Sequence, residues 1–319
     1  MNKEDRLFIG FTGDVMIGRL VNSQIKNSNH SYVWGNVLPL LQSTDLNIIN
    51  LETALTRSHD LALKTFNFKA DPEHISVLTK ARIDAVNLAN NHVLDYGVAG
   101  LWDTIKMLQM AGVKYAGAGE NSAAAARPAI FTKCNIRIGL LGFTDNEPGW
   151  QATADTPGIN YVSVGDTEKI KKDIESVREM VDLLIVSIHW GPNMRERPNT
   201  RFVDFAHFMI DGGVDIIYGH SAHIFQGIEW YNGKLIMYDT GDFVDDYKVT
   251  PAFRNDLSFF FVCEVDKKEI KGLKLFPVLI SNCQVNLATG ADYKWAISHM
   301  QILCSQFDTE VMENGEVLH

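Results

Sequence analysis

Seven residues of this 319-residue chain carry metal-binding side chains and occupy comparable places: Asp14, Glu52, Asn91, His92, His189, His220 and His223. Each lies at or just beyond the carboxyl end of a short apolar run, namely RLFIGFTG, DLNIIN, IDAVNLA, VDLLIVSI or VDIIYG. Two carboxylates, an amide oxygen and four imidazoles suit a divalent transition metal such as Mn, Zn or Fe, whereas calcium takes oxygen almost alone. A carboxylate shared by two cations about 3.5–4 Å apart is an arrangement that activates water and clamps a phosphoryl group. A histidine left outside the ligand set can serve as proton donor, because its ordinary pKa is near neutrality. Singly, these residues have plainer uses: Asp14 caps a turn, Glu52 is a solvated loop carboxylate, and Asn90 and Asn91 are turn formers. Only their joint placement at five strand ends points to a site for one or two ions.

In an open α/β sheet, ligands bind outside the carboxyl ends of the strands, so the elements must bring those ends to one rim. The segments GVAGLWDTIKMLQMAG, DTEKIKKDIESVREMV and TRFVDFAHFMIDGG carry apolar residues at helical spacing, with Gly112 as the stop of the first. Strands alternating with such helices predict a mostly parallel sheet covered by helices. From about residue 226 the texture changes. QGIEWYNGKLIMYDTGDF reads as a hairpin turning at Asn232–Gly233, followed by antiparallel strands and a closing helix between about residues 256 and 308. No linker interrupts the chain, so a single domain over 1–319 is expected, with the motif-bearing part at 8–247.

Hydrophobic residues at 46% and charged residues at 21% predict an ordinary globular core. The formal net charge of −10 argues against a nucleic-acid binder. The charged N-terminus passes directly into a strand without a signal-type apolar region, and no apolar run reaches membrane-spanning length. A cytoplasmic protein without stable membrane insertion is therefore expected. Cys134, Cys263, Cys283 and Cys304 form no CxxC pair and read as buried thiols. No P-loop, GxSxG or GxGxxG motif occurs. His207 falls inside a helical pattern beside Phe205 and Phe208, which predicts packing or a place on the helix surface, and His30, His59, His74, His299 and His319 have no partner pattern.

FTGDVMIGR, NLET, NLANNHVLDYG, LLGFTD, HWG, GVDIIYGHSAH and YDTGDFVDDY, in this order, resemble the poly-γ-glutamate capsule-synthesis (CapA-like) family, related to the calcineurin-like metallophosphoesterases. The resemblance spans residues 8 to 247 and implies an α/β fold, a four-layer α/β/β/α sandwich with its metal site at the sheet rim. It implies that Asp14 and His223 ligate a first cation, that Glu52 bridges, and that Asn91, His189 and His220 complete a second position. His92 would be the acid or transition-state stabiliser, with Asn91 beside it. Arg19, Trp190, Asp242 and Asp246, within the same motifs, would contact substrate.

Three departures qualify this. The wider pattern begins Asp-x-His, but Met16 stands in the histidine's place, so the first position should lack a ligand. The bridging residue is the longer Glu52 instead of Asp. Capsule-type members also usually carry an N-terminal anchor, and none is evident here. The expected function is a metal-dependent hydrolase of a phosphoester or peptide/γ-glutamyl-type bond, with a peptide or small phosphorylated substrate. A peptide epimerase working by Cα proton abstraction comes second, with the acidic cluster Asp239, Asp242, Asp245 and Asp246 leaving room for it. A non-catalytic polymer-synthesis accessory protein comes third.

Overall fold

The computed structural model describes residues 6–267 and 269–318. Its larger sheet runs Glu310–Val311, Glu316–Leu318, Ile270–Ser281, Leu257–Val265, Leu7–Val15, Leu46–Leu51, Ala85–Asn87, Lys114–Ala116. Two short strands lie off this path: Asp242–Val244 pairs with the far end of Leu7–Val15, and Gln284–Leu287 pairs with Ile270–Ser281. Leu7–Val15 is thus parallel to Leu46–Leu51 on one side and antiparallel to Leu257–Val265 on the other. The second sheet runs Ile228–Tyr231, Lys234–Met237, Ile216–His220, Leu183–His189, Ile136–Thr144, Ala129–Lys133. Its hairpin turns at Asn232–Gly233 with φ of 50° and 73°, the left-handed pair that the two-residue turn requires.

The burial of alternate side chains places these sheets face to face. Ile9, Phe11 and Ile48 from the first sheet share one core with Ile138, Leu140, Ile185 and Ile216 from the second. The opposite face of the first sheet, with Ile49 and Val86, packs on Leu101, Ile105 and Leu108 of helix Gly97–Ala111. The opposite face of the second, with Val186 and Ile217, packs on Ile170 and Ile174 of helix Thr167–Arg178 and on Phe205 and Met209 of helix Thr200–Asp211. The result is an α/β/β/α sandwich. Helix Gly290–Cys304 closes the inter-sheet core with Ala296, Ile297 and Met300.

One expectation changes in an instructive way. The donor-bearing strand ends do not line a single sheet. Asp14 and Glu52 belong to or follow strands of the first sheet, whereas His189 and His220 end adjacent strands of the second, paired in register. The antiparallel C-terminal strands Leu257–Val265 and Ile270–Ser281 extend the first sheet from its N-terminal strand. Among the described residues, no helix is long and apolar enough to cross a membrane.

Candidate metal centre

Asp14 is the hub. Its Oδ1 lies 3.6 Å from His220 Nδ1 and 3.8 Å from His189 Nδ1, while its Oδ2 lies 3.9 Å from His223 Nδ1. Two groups of donor atoms close enough to share an ion result, Asp14–His189–His220 and Asp14–Glu52–His223–Asp242, with Asp14 common to both. Glu52 Oε1 also reaches toward the imidazoles, 3.7 Å from His189 Nε2 and 3.9 Å from His92 Nε2.

Backbone features bring the groups together. Asp14 and Asp242 are register partners on parallel strands, and the strands approach closely because Gly13 has no side chain. A Cβ there would sit 2.2 Å from the Gly241 carbonyl oxygen. In GHSAH, Ser221 and His223 adopt left-handed φ of 117° and 59°, a strained turn that aims His223 back at Asp14. Asp239 holds that turn by accepting from Ala222 N–H at 2.7 Å and Gly241 N–H at 2.8 Å.

Several of these atoms are buried without a hydrogen-bond partner: Asp14 Oδ2, Glu52 Oε1, Asn91 Oδ1, His189 Nε2 and Asp242 Oδ2. Buried polar atoms are ordinarily paired, so such a concentration fits a bound cation. Burial pushes His189 and His220 well below the ordinary histidine value, leaving neutral rings with lone pairs to offer. Burial pushes the carboxyls the other way: Asp14 and Asp242 rise well above their usual range, each further raised by neighbouring carboxylates, and Glu52 rises to about 8. Without a cation the acids therefore hold protons, which a cation would displace.

The metal-free protein should show this as a pH effect. A carboxyl whose folded-state pKa is raised stabilises the fold below its unfolded value and loses that contribution as pH rises to the folded value. Glu52 does so between 4.5 and about 8, and Asp239, raised to about 7 by burial, does so between 3.8 and about 7. The buried histidines act oppositely, but only below 6.5, where their unfolded forms gain protons. Between pH 6.5 and 8 the carboxyls alone act. Metal-free protein is expected to lose on the order of 2 kcal/mol there, roughly 4 °C in melting temperature. Calorimetry of chelator-treated protein measures it, and saturating Mn2+ should remove most of the slope.

His92 sits beside the cluster. Its Nδ1 bonds Asp95 at 2.5 Å, and Asp95 also accepts from Phe68 N–H at 2.7 Å and from Lys64 at 3.1 Å. With Asp95 accepting throughout, Nδ1 is the donor and Nε2 keeps its lone pair. Burial pushes the His92 pKa down to about 4 despite Asp95, so the ring is neutral near pH 7. Phe68 stacks on it, with ring centroids 3.8 Å apart. Asn90, by contrast, shapes the loop, since its Oδ1 accepts from His92 and Val93 N–H and its amide bonds Asn50 and Leu51.

A cleft of about 590 Å³ opens here, lined by Arg19, Lys64, Phe66, Asn91, His92, His223 and Tyr247 among others. A larger groove of about 840 Å³ near Trp102, Lys106 and Arg127 contains none of the donors. Arg19, at a left-handed φ of 49°, projects its guanidinium over the Phe66 and Phe68 rings, 5.7 Å from each.

Three residues expected to contact substrate sit otherwise. Trp190 is buried in the core of the second sheet, where its indole donates to the Tyr238 carbonyl and packs on Phe202. Trp190→Ala is therefore expected to destabilise the protein by about 3–5 kcal/mol while metal content is kept, as thermal melts and elemental analysis would show. The Asp246 side chain is enclosed too. It accepts from Leu20 N–H at 2.8 Å and lies 3.4 Å from Arg19 Nε, so it orients Arg19. Asp242 stands among the candidate ligands, its Oδ1 2.8 Å from His223 Nδ1. Met16 is buried and its sulfur takes an N–H from Gly18, outside the donor set.

Other contributors were not legible as such. Asn50 donates to Asp14 Oδ1 at 2.7 Å and lies 3.3 Å from His189 Nδ1. Tyr247 donates to Glu52 Oε2 at 3.3 Å, and Ser187 meets His220 Nε2 at 2.9 Å. Only Asp95 left a local trace, three residues after His92. His207 packs as expected, stacked on Tyr231 and bonded to Glu229.

A layered α/β sandwich whose buried carboxylates and imidazoles meet where two sheets abut defines a candidate metal-centred α/β protein. The chain belongs to the bacterial capsule synthesis protein family PGA_cap, which matches residues 8–247. It is 32% identical over 325 residues to a probable polyglutamine synthesis accessory protein of Mycobacterium tuberculosis, covering 96% of this chain and 86% of the relative. It is 33% identical over 247 residues to the PGA biosynthesis protein CapA of Bacillus subtilis, covering 76% and 64% respectively. Among solved structures, a 5'-nucleotidase precursor from Thermus thermophilus aligns with TM-score 0.49 and 12% identity, covering 94% of this chain and 59% of that one.

Proposed function

We propose that this protein is a metal-dependent hydrolase of a phosphoester or a peptide/γ-glutamyl-type bond. The observation that carries this reading is the set of buried, partnerless donor atoms behind a cleft lined by Asn91, His92 and His223. One or two divalent ions, Mn, Zn or Fe, would supply Lewis acidity and lower the pKa of attacking water. Asp14 and Glu52 would hold both, with Asn91, His189 and His220 on one side and His223 and Asp242 on the other.

The chain's own residues divide the remaining work. His92 Nε2, backed by Asp95, takes a proton from water and can return it to the leaving group. Arg19 and Lys248, both lining the cleft, present positive charge to an anionic substrate such as an acidic peptide or a small phosphorylated metabolite. Four cysteines without a disulfide agree with a reducing cytoplasm as the setting.

A second reading, Cα proton abstraction in a peptide epimerase, is favoured by the same unprotonated Nε2. The name of the mycobacterial relative supports a third, an accessory role without turnover. One experiment separates them: metal-free and Mn2+-reloaded protein with an aryl phosphodiester and a γ-glutamyl peptide in D2O. Metal-dependent product release supports hydrolysis. Deuterium at Cα without cleavage supports epimerisation, equal cleavage by metal-free protein sinks metal-dependent hydrolysis, and no reaction of either kind leaves the accessory role.

A further inference from the structure

We propose that the two cation positions are chemically unlike: the Asp14–Glu52–Asp242–His223 position takes a hard ion such as Mn2+, and the Asp14–His189–His220 position a borderline one such as Zn2+. The proposal rests on the metal-centre reading above and deepens it by assigning ions to positions.

Met16 marks the difference between the two positions. Where an imidazole would have stood, a buried thioether faces away toward the Gly18 N–H. The first position is nevertheless not short of donors, because Asp242 enters it from the neighbouring strand. It is 1% exposed, its Oδ1 touches His223 Nδ1 at 2.8 Å, and its Oδ2 has no partner. Asp14 and Glu52, each with a buried, partnerless carboxylate oxygen, belong to the same group. Nitrogen has been exchanged for oxygen, leaving three carboxylates and one imidazole.

The second position has the opposite balance. His189 and His220 face each other, with Nδ1 atoms 2.9 Å apart, so this position offers two imidazoles where the first offers one, beside Asp14 and Glu52, whose Oε1 lies 3.7 Å from His189 Nε2. Oxygen-rich, highly anionic sets suit Mn2+ or Mg2+, whereas imidazole-rich sets suit Zn2+. Zn2+ binds most sites more tightly than Mn2+, so the difference appears as the order of filling. The first equivalent of Zn2+ goes to the histidines, and Mn2+ then enters the carboxylates.

The test uses the full chain, stripped with chelator, given one equivalent of Zn2+ and then excess Mn2+, and desalted. Metal content is read by mass spectrometry and the Mn2+ environment by electron paramagnetic resonance. About one Zn2+ and one Mn2+ per chain are expected. The isosteric Asp242→Asn should lose the Mn2+ and keep the Zn2+, whereas His189→Asn, loaded with excess Mn2+ alone, should still hold one Mn2+. Melting curves confirm that each variant is folded, and either variant alone gives an answer. Equal loss of both ions from Asp242→Asn, loss of Mn2+ from His189→Asn, or full Mn2+ retention by Asp242→Asn, overturns the proposal. A wild type that holds neither ion overturns the metal-centre reading as well.

Discussion

Asp14→Asn is expected to empty both cation positions at once, taking bound metal from about two ions per chain to about none and activity down by a factor of at least ~10³. The reason is geometric. Asp14 is the residue common to the two donor groups, its Oδ1 turned to His189 and His220 and its Oδ2 to His223. Asparagine keeps the shape and can still accept from the Asn50 amide, but it removes a full negative charge from each position. A second consequence separates this from simple damage. In metal-free protein Asp14 is buried against Glu52 and Asp242, so burial and repulsion both raise its pKa. Neutralising it should raise the melting temperature of metal-free protein while abolishing the further rise on adding Mn2+. A variant that binds two ions normally would sink the hub assignment.

His92→Ala should do the complementary thing, lowering turnover by roughly 10²–10⁴ with both ions retained. Neither donor group includes His92, yet its Nε2 is 3.9 Å from Glu52 Oε1 and it lines the cleft. Asp95→Asn should cost about 10–100-fold through the same ring, by weakening the Nδ1 bond that fixes its tautomer. The acidic limb of the pH–rate profile should shift in Asp95→Asn and vanish in His92→Ala. Unchanged kcat in His92→Ala, measured with full metal occupancy, would remove His92 from the catalytic machinery.

Much of the positioning framework was legible because it depends on local periodicity. The runs ending at Asp14, His189 and His220 are strands, and helix Gly97–Ala111 stops at a left-handed Gly112. Asn232–Gly233 turns its hairpin because few other residue pairs accept two left-handed positions. Trp190 departs from its expected place for a corresponding reason: strand neighbours alternate faces, and His189 and Trp190 point to different sides of the same sheet. Proximity in sequence to a ligand thus said nothing about proximity in space.

Asp242 is the clearest case of what the chain order concealed. Its acidic neighbourhood was visible, but its place opposite Asp14 arises from strand pairing across 228 residues and from a missing Cβ at Gly13. The sequence by itself determined the donor types, their position at strand ends and the α/β alternation, since all follow from residue chemistry and short-range pattern. Only the tertiary structure decided that donors from two sheets meet, that Asp14 is common to both donor groups, and that Asp242 stands beside Asp14. Those facts depend on which strands pair and how closely they approach, which no local pattern encodes.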